Sequence, residues 1–128
     1  MCRPVRVFIV EDEALIAMEL EHRVEALGHE VCGHALRGEE ALERIPAAQP
    51  DLVLLDVNLG SGISGLTVAD RLSGQDVRIV FLSAYTSAEL EERTRRGRPF
   101  RYLVKPFRSE ELQAAMQAAA DRGIADVK

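Results

Sequence analysis

The segment Asp51-Leu52-Val53-Leu54-Leu55-Asp56 is an almost unbroken apolar run that ends in a carboxylate. Apolar residues at successive positions, rather than at alternate ones, are typical of a strand buried on both faces of a parallel sheet. Four other segments are rich in β-branched and aromatic residues and are also predicted to be strands: Val5–Val10, Val31–Leu36, Arg78–Leu82 and Tyr102–Val104.

A helix is predicted after each strand, because apolar residues recur there at helical spacing. In the first helix, one face is predicted to carry Ile16, Leu20, Val24 and Leu27, and Gly28 is expected to end it. The second helix should end before Pro46, and the third should be short. Residues 86–89 have capping-box spacing and should open the fourth helix, and Gly123 is expected to end the fifth. Strands that alternate with helices predict an α/β fold with a parallel sheet.

Length and composition restrict the possible classes. The 128 residues fit one domain with a substantial core, which we place at about residues 5–121, and no output domain is expected. No apolar stretch approaches the ~18 residues of a membrane span, and the N-terminus lacks the apolar core of a signal peptide. Cys2 and Cys32 are too few for a disulfide framework. We therefore expect a cytoplasmic protein without a membrane partner.

The net charge of −5 argues against nucleic acid binding by the whole surface, and no segment has the pattern of a DNA-binding element. The charge is uneven, however, because the stretch from Arg93 to Arg108 contains seven basic residues and no acidic one. Two interpretations remain open for this stretch. It is either a solvated face that contains one site lysine, or a docking surface for an acidic partner.

Polar side chains follow four of the predicted strands, at the point where each strand ends. They are Glu11 and Asp12 after the first strand, Asp56 after the third, Ser83 after the fourth and Lys105-Pro106 after the fifth. The carboxyl ends of parallel strands meet at one edge of the sheet, where ligands bind in open α/β folds. Each residue alone has a structural explanation, such as a helix cap, a turn or a surface charge. Their joint placement favours a functional site.

The residue types at this edge suit phosphoryl transfer. A carboxylate such as Asp56 can attack phosphorus and form an acyl phosphate. Mg²⁺ prefers oxygen ligands, which Glu11, Asp12, Asp56 and the backbone carbonyl of Asn58 could supply. Lys105 would place a positive charge on a phosphate oxygen or on Asp56, and Ser83 would donate a hydrogen bond. We expect a cis peptide bond between Lys105 and Pro106, which would aim the lysine inward.

The order acidic pair, aspartate, serine, Lys-Pro resembles that of the receiver domains of two-component response regulators, over about residues 5–121. The resemblance implies a flavodoxin-like (βα)5 fold with strand order 2-1-3-4-5. It implies that Asp56 accepts a phosphoryl group from a phosphohistidine of a histidine kinase or a histidine phosphotransfer protein. The Mg²⁺ ion, for which Mn²⁺ can substitute, would be held by the residues that end the first and third strands: Glu11, Asp12, Asp56 and Asn58.

The resemblance also implies a switch. Ser83 would move toward the phosphate, and Tyr102 would rotate inward into the vacated space. The face formed by the fourth helix, fifth strand and fifth helix would then change its affinity for a downstream protein, as a monomer or through phosphorylation-dependent dimerisation. Asn58 and Tyr85 occupy positions that tune dephosphorylation in the family, and a bulky ring at Tyr85 could shield the acyl phosphate from water.

Two departures from the family pattern stand out. The loop from Leu59 to Gly65 is one residue longer before its last glycine, and Gly97–Arg101 replaces a usual Gly-Ala before the fifth strand. Three alternatives to a stand-alone receiver remain open: a receiver excised from a longer hybrid kinase or regulator, an unphosphorylated pseudo-receiver that acts as a binding module, and an aspartyl-phosphate phosphatase. The phosphatase is disfavoured, since Asn58 stands where such enzymes need a second Asp.

Overall fold

Five parallel strands form one sheet in the computed structural model, which describes residues 4–95 and 100–126, apart from the side chains of residue 100 and of residues 119–126. The strands are β1 (Arg6–Val10), β2 (Glu30–Ala35), β3 (Leu52–Asp56), β4 (Arg78–Ser83) and β5 (Phe100–Val104). Their order across the sheet is β2-β1-β3-β4-β5, and every neighbouring pair is parallel. The predicted flavodoxin-like fold and its strand order are therefore confirmed.

Five helices cover the two faces of the sheet. They are α1 (Ala14–Ala26), α2 (Gly38–Ala48), α3 (Gly65–Arg71), α4 (Ala88–Arg95) and α5 (Ser109–Asp126). Buried residues of α1 and α5 share one apolar cluster with the sheet, and those of α2, α3 and α4 share the other. Within the described ranges, no helix is long and apolar enough to cross a membrane.

Strand β3 lies at the centre of this arrangement and explains why its sequence is apolar at successive positions. Leu52 and Leu54 pack into the cluster of α1 and α5, whereas Val53 and Leu55 pack into the opposite cluster. All four are fully buried. The strand has no solvent-facing side before Asp56, so the first polar side chain emerges at the carboxyl edge of the sheet.

The buried face of α1 differs in detail from the prediction. Ala17, Leu20 and Val24 are its buried residues, while Ile16 is 36% exposed. The prediction placed Ile16 on the buried face, but Ala17 is buried instead. Ala17 lies three residues before Leu20 and seven before Val24, which is the spacing of one helical face. Leu27 follows the helix and is partly buried, and Gly28 then adopts a left-handed conformation with φ of 92°, as expected of a glycine that ends a helix.

Three predicted helix boundaries were wrong. Helix α2 continues through Pro46 to Ala48, because the exposed proline lies in its last turn, where the helix closes by a hydrogen bond from Gln49 N–H to the Ile45 carbonyl. Helix α5 continues past Gly123, since one glycine costs only about 1 kcal/mol. Helix α4 begins one residue later than the capping-box pattern indicated.

The cap of α4 is Ser87, not Thr86. Ser87 Oγ accepts a hydrogen bond from Leu90 N–H at 3.2 Å, whereas the Thr86 hydroxyl donates to Glu91 Oε2 at 3.1 Å. In α5, Ser109 is the first helical residue, and Glu111 Oε1 accepts a hydrogen bond from Arg108 N–H, just before the helix, at 2.8 Å. Helix α3, with seven residues, is as short as predicted. Most of the unusual segment before β5 lies outside the described residues.

Candidate functional site

Acidic side chains from β1 and β3 converge at the carboxyl edge of the sheet. Glu11 and Asp56 are almost completely buried, while Asp12 is exposed. Carboxylate oxygens of these three residues all lie within 4.8 Å of one another. The register of β1 and β3 produces this cluster, because Val10 pairs with Leu55 and the next residue of each strand is acidic.

The cluster fits a hard divalent cation. Three carboxylates within 4.8 Å repel one another, and oxygen-only donors of this kind suit Mg²⁺ or Mn²⁺. Burial, together with a hydrogen bond and charge repulsion from Asp56, raises the pKa of Glu11 to about 7. Glu13 N–H donates to Glu11 Oε2 at 3.2 Å and partly offsets this effect. The local excess of negative charge is what a bound cation would relieve.

Lys105 supplies positive charge to the same cluster. Its Nζ donates to Asp56 Oδ2 at 2.7 Å and to Glu11 Oε1 at 3.3 Å. Burial lowers the pKa of Lys105, but the hydrogen bond and the charge of Asp56 outweigh it, so the pKa is raised and the ammonium stays protonated. The peptide bond between Lys105 and Pro106 is cis. The carboxylate of Asp56 thus lies between an ammonium and two further carboxylates.

The second oxygen of Asp56 is held by its own loop. Asn58 N–H donates to Asp56 Oδ1 at 2.9 Å, and Asn58 Oδ1 in turn accepts from Gly60 N–H at 3.2 Å. The Asn58 side chain therefore stabilises the turn that follows Asp56. A role of its backbone carbonyl as a metal ligand stays a prediction.

Two glycines allow close approach to the carboxylate cluster, Gly65 to Asp56 and Gly60 to Asp12, and neither was predicted as a site residue. A Cβ on Gly65 would lie 2.1 Å from the Asp56 carbonyl oxygen, and Gly65 N–H donates to the Val57 carbonyl at 2.9 Å. Gly60 has φ of 76°, and a Cβ there would lie 2.8 Å from Asp12 Oδ2. The Gly/Ser-rich loop was visible in the sequence, but only the fold shows which glycine lies against which backbone or side-chain atom.

The longer loop after β3 is held to α2 by Glu39. Its Oε2 accepts a hydrogen bond from Ile63 N–H at 3.2 Å. Gly62 has φ of 77°, and a Cβ on it would lie 2.6 Å from Glu39 Oε1. The extra length is therefore accommodated by a left-handed glycine packed against a carboxylate, while Gly65 keeps its contact with the end of β3.

Ser83 lies at the site edge, but its hydroxyl points into a local turn. Ser83 Oγ donates to the Tyr85 carbonyl at 2.5 Å and accepts from Tyr85 N–H at 3.2 Å. Within the described part of the chain, the Ser83 hydroxyl makes these two hydrogen bonds. The backbone of Ser83 is nevertheless connected to the site, because its carbonyl accepts from Lys105 N–H at 2.7 Å.

The two tyrosines have different environments. Tyr102 is half-buried against the cluster of α2, α3 and α4, and its hydroxyl lies 3.5 Å from Thr86 Oγ1. Tyr85 is 71% exposed. Tyr102 thus contacts the segment that joins β4 to α4, whereas Tyr85 projects from that segment toward solvent.

Three arginines of the basic stretch are paired within the chain. Arg93 makes two hydrogen bonds to Asp70, at 2.7 and 3.2 Å, and Arg95 and Arg108 contact Glu92 and Glu111. Residues 96–99 lie outside the described part. These pairs support the interpretation of the stretch as a solvated face with one site lysine.

Comparison with known proteins identifies the family. A family model described as "Response regulator receiver domain" matches residues 7–117. The transcriptional regulatory protein PdtaR of Mycobacterium tuberculosis (strain ATCC 25618 / H37Rv) is 38% identical over 120 residues, which cover 93% of this chain and 58% of PdtaR. The phyllosphere-induced regulator PhyR of Methylorubrum extorquens is 38% identical over 115 residues, which cover 88% of this chain and 42% of PhyR. The chain spans about half the length of these relatives.

Solved structures give the same result. The signal receiver domain of a modulated diguanylate cyclase from Desulfovibrio desulfuricans G20 superposes with a TM-score of 0.85 at 32% identity, over 97% of this chain and 99% of that chain. The response regulator PhyR from Brucella abortus superposes with a TM-score of 0.79 at 34% identity, over 97% of this chain and 51% of that chain. With its parallel sheet, its acidic cluster and its lysine in the expected order, this chain belongs to the response regulator receiver domains of two-component signalling.

Proposed function

We propose that this receiver domain accepts a phosphoryl group on Asp56 from the phosphohistidine of a histidine kinase or a histidine phosphotransfer protein. The observation that carries the proposal is the environment of the Asp56 carboxylate. It is buried at the end of β3 and accepts hydrogen bonds from the Lys105 ammonium and the Asn58 N–H. Its position is therefore fixed before any phosphoryl donor arrives, and fixed geometry provides much of the rate in phosphoryl transfer.

The chemistry balances without a separate general base. A carboxylate oxygen of Asp56 forms the new bond to phosphorus, and the bond from phosphorus to the donor imidazole breaks. The imidazole keeps the electron pair of that bond. The attacking group is a carboxylate, which carries no proton to be removed, and Lys105 Nζ lies 2.7 Å from its Oδ2. Lys105 then faces the oxygens of the acyl phosphate with the charge that previously faced the carboxylate.

Glu11, Asp12 and Asp56 would hold Mg²⁺, or Mn²⁺ in its place, with the Asn58 carbonyl as a further ligand. The bound ion would supply positive charge that offsets the negative charge of the incoming phosphoryl group. The two acidic residues after β1 have different environments. Glu11 is buried and accepts a hydrogen bond from Glu13 N–H, whereas Asp12 is exposed to solvent.

The proposal includes a switch that involves Ser83 and Tyr102. The Ser83 hydroxyl would leave the Tyr85 carbonyl and donate to a phosphoryl oxygen, so its present hydrogen bonds to Tyr85 would break. Tyr102 contacts Thr86 in the same segment and would respond by moving inward. The surface formed by α4, β5 and α5 would then change its affinity for a downstream protein or for a second phosphorylated copy.

The test is intact-mass measurement after incubation with acetyl phosphate, with and without Mg²⁺. Wild type should gain one phosphoryl group only with Mg²⁺, and Asp56→Asn should gain none. Asp76→Asn is the matched control, since its carboxylate is exposed beside Arg78 at the opposite end of β4 and should leave phosphorylation intact. Absence of an adduct on wild type with acetyl phosphate and also with a phosphohistidine donor would contradict the proposal and favour a pseudo-receiver.

A further inference from the structure

Arg23, in the last turn of α1, makes three contacts with the segment that follows Lys105. Its Nη2 donates to the Phe107 carbonyl at 2.7 Å, and its Nε lies 3.4 Å from Ser109 Oγ. Its guanidinium also stacks over the Phe107 ring, 4.7 Å from the ring centroid. One side chain thus contacts the backbone, the ring and the next hydroxyl of a segment more than 80 positions away in the sequence.

The segment that Arg23 contacts carries the lysine of the site. Lys105 N–H donates to the Ser83 carbonyl at 2.7 Å, which fixes the chain before the lysine. Arg23 fixes the chain two residues later, at Phe107, whose ring is packed against the cluster of α1 and α5. Lys105 therefore lies between two points of attachment, and its Nζ reaches Asp56 from there.

The contact type requires arginine. A guanidinium can donate through one edge while its flat face stacks on an aromatic ring, whereas an ammonium is a compact charge that cannot do both in the same way. Loss of the guanidinium would leave the Phe107 ring packed but would free the Phe107 carbonyl. The segment after Lys105 would then keep the packing of the Phe107 ring but would lose its hydrogen bond to α1.

We propose that Arg23 is a positioning residue for phosphorylation of Asp56, which acts by holding the 106–109 segment so that Lys105 stays on the Asp56 carboxylate. The proposal rests on the proposed function and deepens it. Arg23 itself contacts the lysine segment rather than the carboxylates, so its effect on the reaction has to pass through Lys105.

A double-mutant cycle tests this path. Phosphorylation rates with acetyl phosphate and Mg²⁺ would be measured for wild type, Arg23→Ala, Lys105→Ala and the double variant. Arg23→Ala should slow the reaction about fivefold, as expected for loss of one charge-assisted hydrogen bond. In the Lys105→Ala background the same substitution should change the rate by less than about twofold, because there is no lysine left to position. Arg23→Lys should be slowed, but less than Arg23→Ala.

Arg44 provides a matched control. Its guanidinium donates to the His34 carbonyl at 2.5 Å and lies 5.9 Å from the Phe8 ring centroid, so it makes the same kinds of contact on the other side of the sheet. Arg44→Ala should be phosphorylated at the wild-type rate.

Isothermal titration should also show that Arg23→Ala binds Mg²⁺ at least as well as wild type, since the carboxylate cluster is unchanged.

Three results would overturn the proposal: an unchanged rate in Arg23→Ala, an equal slowing in the presence and absence of Lys105, or a loss of Mg²⁺ affinity. If circular dichroism shows that Arg23→Ala does not fold, Arg23→Lys takes its place in the same cycle. A wild-type chain that takes no phosphoryl group would instead contradict the proposed function. This outcome is distinguishable from an Arg23→Ala variant that is phosphorylated as fast as wild type, which would contradict only the role of Arg23.

Discussion

The two halves of the site differ in how firmly their side chains are held. At the ends of β1 and β3, Glu11 and Asp56 are buried, and each is hydrogen-bonded to Lys105 and to a backbone N–H. At the end of β4, the Ser83 hydroxyl is bonded only to the turn at Tyr85 among described residues, and Tyr102 contacts Thr86 at 3.5 Å. The first half is arranged for chemistry, and the second half can rearrange at low cost.

The carboxylate half should respond most strongly to a change at Gly65. A Cβ in Gly65→Ala would lie 2.1 Å from the Asp56 carbonyl oxygen and 2.9 Å from Val57 Cα, and both are backbone atoms that cannot turn away. We expect a loss of about 3 kcal/mol in the free energy of unfolding, measured by urea denaturation. Gly74→Ala is the control, since a Cβ there meets nothing within 4 Å.

A second control separates backbone strain from crowding. Gly28 has φ of 92° but open space around it, so Gly28→Ala should cost about 1 kcal/mol from strain alone. A Gly65→Ala variant as stable as Gly74→Ala would show that the backbone at the end of β3 can shift at little energetic cost. The description of this half as firmly held would then be wrong.

Lys105 joins the two halves, and its removal should alter cation binding. In Lys105→Ala the carboxylates of Glu11, Asp12 and Asp56 would lose their neighbouring positive charge. We expect Mg²⁺ affinity to increase roughly fivefold, because repulsion between the ammonium and the ion is removed. Isothermal titration calorimetry measures this change.

Arg108→Ala removes the same formal charge from the same part of the chain, but Arg108 is 78% exposed and paired with Glu111. Solvent screens such a charge, so this variant should bind Mg²⁺ as wild type does. Equal affinities for Lys105→Ala and Arg108→Ala would contradict a direct electrostatic link between the lysine and the cation site.

The switch half should tolerate loss of the Ser83 hydroxyl. Ser83→Ala removes one donor and one acceptor from a turn beside exposed residues, so the Tyr85 carbonyl and N–H can bind water instead. We expect a cost below about 1 kcal/mol in thermal unfolding. A cost as large as that of Gly65→Ala would show that both halves are equally rigid and would remove the contrast between them.

The sequence predicted which residues meet, but not how they are held. The strand pattern and the carboxyl-edge rule were sufficient to bring Glu11, Asp56, Ser83 and Lys105 to one edge, because parallel strands align their ends. The orientation of Ser83 depends on competition between local and distant hydrogen-bond partners, which spacing cannot reveal. The contact of Arg23 with the lysine segment joins positions 84 residues apart and leaves no local pattern.

Helix boundaries show the same division between local and tertiary information. Pro46 and Gly123 are strong local signals for a helix end, yet α2 and α5 continue beyond them. Propensity contributes only a few kcal/mol at one position, whereas Ala41 and Ile45 of α2 are fully packed against the sheet. Ala48, which follows the proline, also packs against the cluster of α2, α3 and α4, so packing of the helical face favours continuation of α2 through Pro46.

The smallest expected effect concerns Tyr85, which follows the switch residue and is 71% exposed. If its ring shields the acyl phosphate from water, Tyr85→Ala should lose phosphate about two- to threefold faster than wild type, because only partial exclusion of water is expected from an exposed ring. The rate would be followed by intact mass after removal of acetyl phosphate. Tyr85→Phe is the matched control and should behave as wild type, since the ring rather than the hydroxyl provides the shield.

Equal or slower loss from Tyr85→Ala would contradict the shielding role. A faster loss from both Tyr85→Ala and Tyr85→Phe would assign the effect to the hydroxyl instead. Because the Tyr85 backbone, not its side chain, bonds to Ser83, truncation of the ring leaves the turn intact. A change in phosphate lifetime would therefore report on access of water to Asp56. It would show that the switch half of the site controls how long the carboxylate half stays phosphorylated.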